Sequence, residues 1–147
     1  MRSRPAGTTK PSALLLQAAS SGPASPLRGP YYRWLFFAAG PFEAASSNKA
    51  LGVVVPPERE RMMGYGNIAL VLKTLEDAVS RGHYLAGDSF TAADLYVGSQ
   101  LGFGMMFGMI EKRPAFEQYW QRLSNRPACL RAKELDDALV APQKAAG

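Results

Sequence analysis

The sequence predicts an all-α domain of about five helices, and three observations carry that prediction. Apolar residues recur at i, i+3, i+4 and i+7 in several separate segments, the spacing of one helix face. Helix-start signals recur as well: Pro30, Pro57, Pro114 and Pro127 stand where first turns would begin, and Thr91 with Asp94 forms a Thr-x-x-Asp box. The one β-like run, Leu51-Gly52-Val53-Val54-Val55, meets Pro56-Pro57 at once and has no other run to pair with. It reads as a loop.

The 147 residues suit one domain, which can bury roughly two thirds of the surface its unfolded chain exposes. The formal charge of +5 suggests an anionic partner, but Arg2, Arg4, Lys10 and Arg28 supply four of those charges before any acid appears. The remaining 13 basic and 12 acidic residues nearly balance, which argues against nucleic acid as a partner because a phosphate-binding groove needs clustered Lys and Arg. Cys129 is the sole cysteine, so no intramolecular disulfide or cysteine-rich metal site can form. A reducing cytoplasm suits it, as a buried structural cysteine. His83 is the sole histidine, with no companion at helical spacing for a metal and no Ser and Asp pattern for acyl transfer.

Residues 1–25 are rich in Ala, Ser, Pro and Gly, hold no acid and carry one short apolar cluster, Ala13-Leu14-Leu15-Leu16. That cluster is short for a secretory h-region, and Pro and Gly interrupt any amphipathic transit helix, so the stretch reads as a disordered or incidental tail. The folded domain is expected over residues 26–138, with 139–147 a frayed end.

Pro30 opens the first helix, and Tyr31, Trp34, Leu35 and Ala38 share one face. Phe36 and Phe37 widen its apolar surface, as expected where a helix meets a core and also a ligand groove or a subunit interface. Gly40-Pro41 should kink or interrupt it, since proline removes an amide and clashes with the preceding turn. A second segment resumes through Phe42 and ends near Asn48. A long helix is then expected over residues 58–81, with Ile68, Leu72, Leu75 and Val79 as its core stripe. Gly64 and Gly66 inside it each cost about 1 kcal/mol relative to Ala, which close approach of a backbone or ligand would explain.

Residues 95–110 carry no charge. Sixteen residues with four glycines are a poor membrane span, so no membrane is expected. A helix apolar on all sides is instead the centre of a soluble bundle, and Gly98, Gly102, Gly104 and Gly108 would let neighbours approach it or loosen its second half. Pro114 opens the next helix, whose Phe116, Tyr119, Trp120 and Leu123 form a core stripe. Arg126-Pro127-Ala128 repeats the Arg113-Pro114-Ala115 start signal for a final helix reaching about Ala138.

The most specific string is Gly87-Asp88-Ser89-Phe90-Thr91-Ala92-Ala93-Asp94-Leu95. Thr91 is placed as N-cap and Asp94 three residues on, so that hydroxyl and carboxylate can each bond the other residue's amide in a capping box. Phe90 and Leu95 are spaced as a hydrophobic staple. A helix N-terminus stabilises the Asp94 carboxylate, which suits capping better than service as a general base. The paired acids Glu76 with Asp77, and Asp136 with Asp137, point in different directions on helices and read as solvated faces. No glycine-rich phosphate loop lies between a strand and a helix.

The Gly-Asp-x-Phe-Thr-x-Ala-Asp-Leu string resembles the capping box and staple of the C-terminal helical domain of cytosolic glutathione S-transferases. The resemblance continues through Tyr31-Tyr32-Arg33-Trp34-Leu35-Phe36-Phe37 and Arg126-Pro127-Ala128, while Pro26-Leu27-Arg28-Gly29-Pro30 resembles the interdomain linker. In that family a thioredoxin-like first domain binds glutathione as co-substrate and supplies the Ser, Tyr or Cys that activates its thiol. The helical domain binds a small hydrophobic electrophile. The sequence shows no counterpart of the first domain, so the resemblance implies the electrophile-binding half of a conjugating enzyme, truncated and inactive alone. No catalytic residue carries over, and neither a cofactor nor a metal is expected in this chain. The wall that the family builds from the first helix and the helix after the capping box maps here to Tyr32, Phe36, Gln100 and Phe103. A homodimer is compatible with the resemblance. The alternative is a non-enzymatic interaction module of the same fold, with Tyr31, Trp34, Phe36 and Phe37 as its adhesive surface.

Overall fold

The first helix, α1 (Arg28–Phe37), does not stop at the glycine and proline that follow it. In the computed structural model, which describes residues 26–144, the chain passes through a π-helical turn, Ala38–Phe42, directly into α2 (Glu43–Ala50). Pro41 lies inside the widened turn, which accommodates its missing amide without ending the rod. The buried residues Trp34, Ala38, Phe42 and Ala45 form a seam that continues across the π turn. The interruption expected at Gly40-Pro41 is thus a local change of pitch.

The long helix expected over residues 58–81 is two elements. Pro57–Met62 forms a 3₁₀ turn, the chain reverses at Gly66 with φ +70°, and α3 (Ile68–Arg81) starts afresh. Asn67 caps it, its side-chain oxygen accepting from the Leu70 amide at 2.9 Å. Weak helix propensity at Gly64 and Gly66, next to a good N-cap residue, makes a new start cheaper than continuation. No backbone crowds Gly64, where an added Cβ would meet nothing within 4 Å. The expected stripe is otherwise in place: Leu72, Leu75 and Val79 are buried with Val71, and Ile68 packs beside them.

Helix α4 (Ala92–Met106) packs on α1 and on α5 (Pro114–Ser124), and α3 also rests on α5. It buries Ala93, Asp94, Val97, Leu101 and Met105 together with three glycines, and those glycines set its closest approaches. A Cβ on Gly102 would stand 2.5 Å from Trp120 Cε2, and Cβ atoms on Gly98 and Gly104 would overlap Leu123 and Ile110. Gly108 has a different role: the helix ends at Met106, and Gly108 turns the chain with φ +69°.

Two features of the C-terminal half depart from the sequence reading. Helix α4 is not enclosed on all sides, because Leu95, Phe103, Met106 and the following Phe107 are all exposed. Uniform apolarity hid which side the neighbouring helices would leave open. The last helix, α6 (Pro127–Lys144), runs past Ala138 and touches the body through α5, with residues 131–140 solvent-facing. The tail at residues 1–25 and the end at 145–147 lie outside the described residues.

Candidate functional site

Side-chain hydrogen bonds converge at the start of α4. Both arms of the predicted capping box are present, and the carboxylate arm is the firmer. The Thr91 amide donates to Asp94 Oδ2 at 2.8 Å, and the Thr91 hydroxyl donates to the same oxygen at 2.9 Å. Asp94 Oδ1 accepts two further bonds at 2.8 Å, from the Leu85 amide and from the Tyr119 hydroxyl. Asp94 is fully buried, so these four donors replace the water its charge has lost. Burial pushes the Tyr119 hydroxyl well above its ordinary pKa, and the adjacent Asp94 charge raises it further. Neither group lines a described cavity, and all four bonds to Asp94 are made within the protein. This is a structural knot.

Phe90, the residue before the cap, packs edge-on to Tyr84 and lies under the Arg126 guanidinium, whose carbon stands 3.8 Å from the ring centre. Arg126 also donates to the Tyr84 hydroxyl at 3.3 Å. Leu95, its expected staple partner, is 61% exposed. His83 presents its backbone carbonyl to Arg122 at 2.8 Å, and Cys129 is half-buried in the first turn of α6. Among the described residues no group of three or more His, Cys, Asp or Glu is arranged to hold a metal ion.

The four residues proposed for a ligand wall fall into two places. Tyr32 and Phe36 stack on consecutive turns of α1, ring centres 6.1 Å apart, with the Arg28 guanidinium 5.5 Å from the Tyr32 ring. Both are exposed and flank no described cavity. Gln100 and Phe103 instead line a cleft of about 310 Å³ between α2 and α4. Phe42, Glu43, Ser46 and Ala50 form its opposite wall, and Met109 and Ile110 close one end. Beside it, Phe107 lies tilted against Phe103, ring centres 4.4 Å apart, and extends the aromatic rim. Two oxygens of residues lining this cleft, Ser46 Oγ and Gln100 Oε1, are buried and have no hydrogen-bond partner.

Sequence reasoning missed Phe42, Ser46 and Phe107 as part of this place. A signal existed for the first two, which sit four residues apart on the rod's continuing helix, but the register across Pro41 depends on the π turn. A larger cleft of about 830 Å³ lies between α1 and α3, lined by Arg33, Thr74, Asp77, Arg81 and Asp88 among others. Its mixed charge suits solvent better than an apolar ligand, and none of its residues has an orphaned oxygen.

Comparison with known proteins decides the family. Residues 42–127 match the glutathione S-transferase C-terminal domain. The chain belongs to that family. The matched span contains the capping box, Gln100, Phe103 and Ser46, and it begins after Tyr32 and Phe36. A curated glutathione S-transferase of Arabidopsis thaliana is 34% identical over 68 residues, 44% of this chain and 31% of that protein. The chain therefore aligns with about a third of its relative's length. No solved structure matches it. An all-helical glutathione S-transferase C-terminal domain is what the architecture shows: helices joined by loops, with no strand among the described residues. No described helix is long and apolar enough to cross a membrane.

Proposed function

We propose that this domain is the electrophile-binding side of a glutathione-conjugating enzyme, and that the α2–α4 cleft holds the electrophile. The observation that carries the proposal is the cleft itself, a mostly apolar recess with an aromatic rim, formed by two helices within the family-matched span. Glutathione is the co-substrate in this reading, and a small hydrophobic electrophile the acceptor. Gln100 and Phe103 keep their assigned place as wall residues. Tyr32 and Phe36 are proposed as an outer apolar face, exposed on α1 and available to a partner domain or a second copy of the chain.

No residue here is assigned to activate the thiol, because the family's Ser, Tyr or Cys belongs to its thioredoxin-like domain. Asp94 and Tyr119 are committed to each other, and Cys129 lies on α6 away from the cleft. A nearly neutral body with one cysteine suits a cytoplasmic setting.

The test is a titration of the 147-residue chain with a generic aryl halide, followed by amide NMR, and a conjugation assay with glutathione. The expected result is weak binding that shifts resonances of residues 42–50 and 100–110, with no turnover above the uncatalysed rate. Turnover by a contamination-free sample would overturn the assignment of a binding half. Shifts confined to other regions would overturn the choice of cleft.

A further inference from the structure

We infer that the α2–α4 cleft selects aromatic ligands that carry a hydroxyl group. The inference rests on the reading of that cleft as the ligand site and goes beyond it in naming the chemistry it recognises.

Buried polar atoms in folded proteins almost always have partners, and an orphan loses the full value of the water it gave up. Among the described residues, Ser46 Oγ and Gln100 Oε1 are the two buried side-chain oxygens or nitrogens with none. They come from different helices, yet both residues line the same cleft. Neither orphan is explained by the fold. Ser46 makes no bond back to its own helix, and Gln100 is the polar exception in a helix otherwise built of apolar and small residues around it. The apolar requirement of packing would be met by Ala and Leu at these positions.

The two atoms differ in what they can accept from a ligand. The Gln100 carbonyl oxygen can only accept a hydrogen bond, whereas the Ser46 hydroxyl can donate one. A ligand hydroxyl suits either atom, able to donate to Gln100 Oε1 or to accept from Ser46. An ether or a halide can only accept, and so leaves Gln100 Oε1 without a donor. Phe103, with Phe107 tilted against it, offers an aromatic surface beside these groups, and Phe42 adds apolar surface to the opposite wall. The combination of few polar groups within an apolar wall is what fixes orientation in small-molecule sites.

The experiment compares 1-naphthol with 1-methoxynaphthalene, in which a methyl group replaces the donor hydrogen, by calorimetry and amide NMR on the full 147-residue chain, and the reading is the change in their affinity ratio between wild type and variant. Wild type is expected to bind the naphthol about tenfold more tightly, the worth of one well-made hydrogen bond. Gln100→Leu should bring the two ligands within about twofold of each other while the ether keeps its affinity. Ser46→Ala should weaken both ligands alike and leave the preference in place, since a hydroxyl and an ether oxygen can each accept from Ser46. Circular dichroism melting of each variant separates a lost contact from a lost fold. Equal binding of the two ligands in wild type, or a preference that survives Gln100→Leu, would overturn the hydroxyl inference and leave the cleft reading standing. Failure of both ligands to shift residues 42–50 and 100–110 would overturn the cleft reading itself.

Discussion

The Tyr119 hydroxyl donates to Asp94 Oδ1 at 2.8 Å in the interior, where both residues are fully buried. One bond thereby ties the start of α4 to the middle of α5, 25 positions apart in sequence. The Leu85 amide adds the connecting loop to the same oxygen.

Removing one end of that bond is not equivalent to removing the other. Tyr119→Phe leaves Asp94 three donors and should destabilise by about 1.5 to 3 kcal/mol, the range for hydrogen bonds to charged groups. Asp94→Ala strands two amides and the buried phenol together, and should cost about 3 to 5 kcal/mol. Urea denaturation of the two variants gives the comparison, and equal losses would contradict the shared-acceptor arrangement.

Alkaline pH should expose the same contact. Burial, and then the Asp94 charge, raise the Tyr119 hydroxyl above its ordinary value. Above about pH 10 the unfolded chain loses this proton while the folded chain keeps it, so stability falls with rising pH by up to about 1.4 kcal/mol per pH unit. Below that pH the contribution is fully present. Tyr119→Phe should remove this share of the slope, which denaturation midpoints measured between about pH 9 and about pH 11 will show.

Thr91→Ala removes the hydroxyl that caps α4 but keeps the amide that donates to Asp94 Oδ2. A loss of about 1 kcal/mol is expected, with Thr91→Ser recovering most of it. Ligand affinity at the cleft should not change. An unaltered melting temperature in Thr91→Ala would refute the capping assignment.

Glycine to alanine inside a helix ordinarily stabilises by about 1 kcal/mol, and in α4 the sign should reverse. At Gly102 the new Cβ meets three atoms of the Trp120 indole at 2.5 to 2.8 Å, a rigid ring held against the core. Gly102→Ala should therefore destabilise by about 1 to 3 kcal/mol. Gly98→Ala meets chiefly the end of the Leu123 side chain, which can turn, and should cost less. Thermal melts that rank the two the other way would contradict the packing described here.

How far the sequence reached differs from residue to residue. Thr91 and Asp94 were legible as a cap because capping is local, decided within four residues of chain. The further bonds of Asp94 to Leu85 and Tyr119 were not, because nothing local to Asp94 says which helix will cross above it. Gln100 and Phe103, three residues apart on one helix, share a cleft. Tyr32 and Phe36, aromatic residues of the same expected wall, lie outside that cleft, because the buried seam through Trp34, Ala38, Phe42 and Ala45 leaves them exposed on another side of α1. The break at Gly66 is not visible in the apolar period, which continues backward from α3 over residues whose glycines favour a turn.

Sequence alone determined the class of fold, the starts of α4, α5 and α6 and the family resemblance, since each rests on short-range spacing and on residue types that constrain their own backbone. Tertiary structure alone decided which face of α4 stays open, which wall Ser46 and Gln100 share, and that a buried carboxylate is held by four donors. Those features depend on how separate helices approach one another. The approach is set by side-chain volume at glycine contacts such as Gly102 against Trp120, and no local pattern in the chain records it.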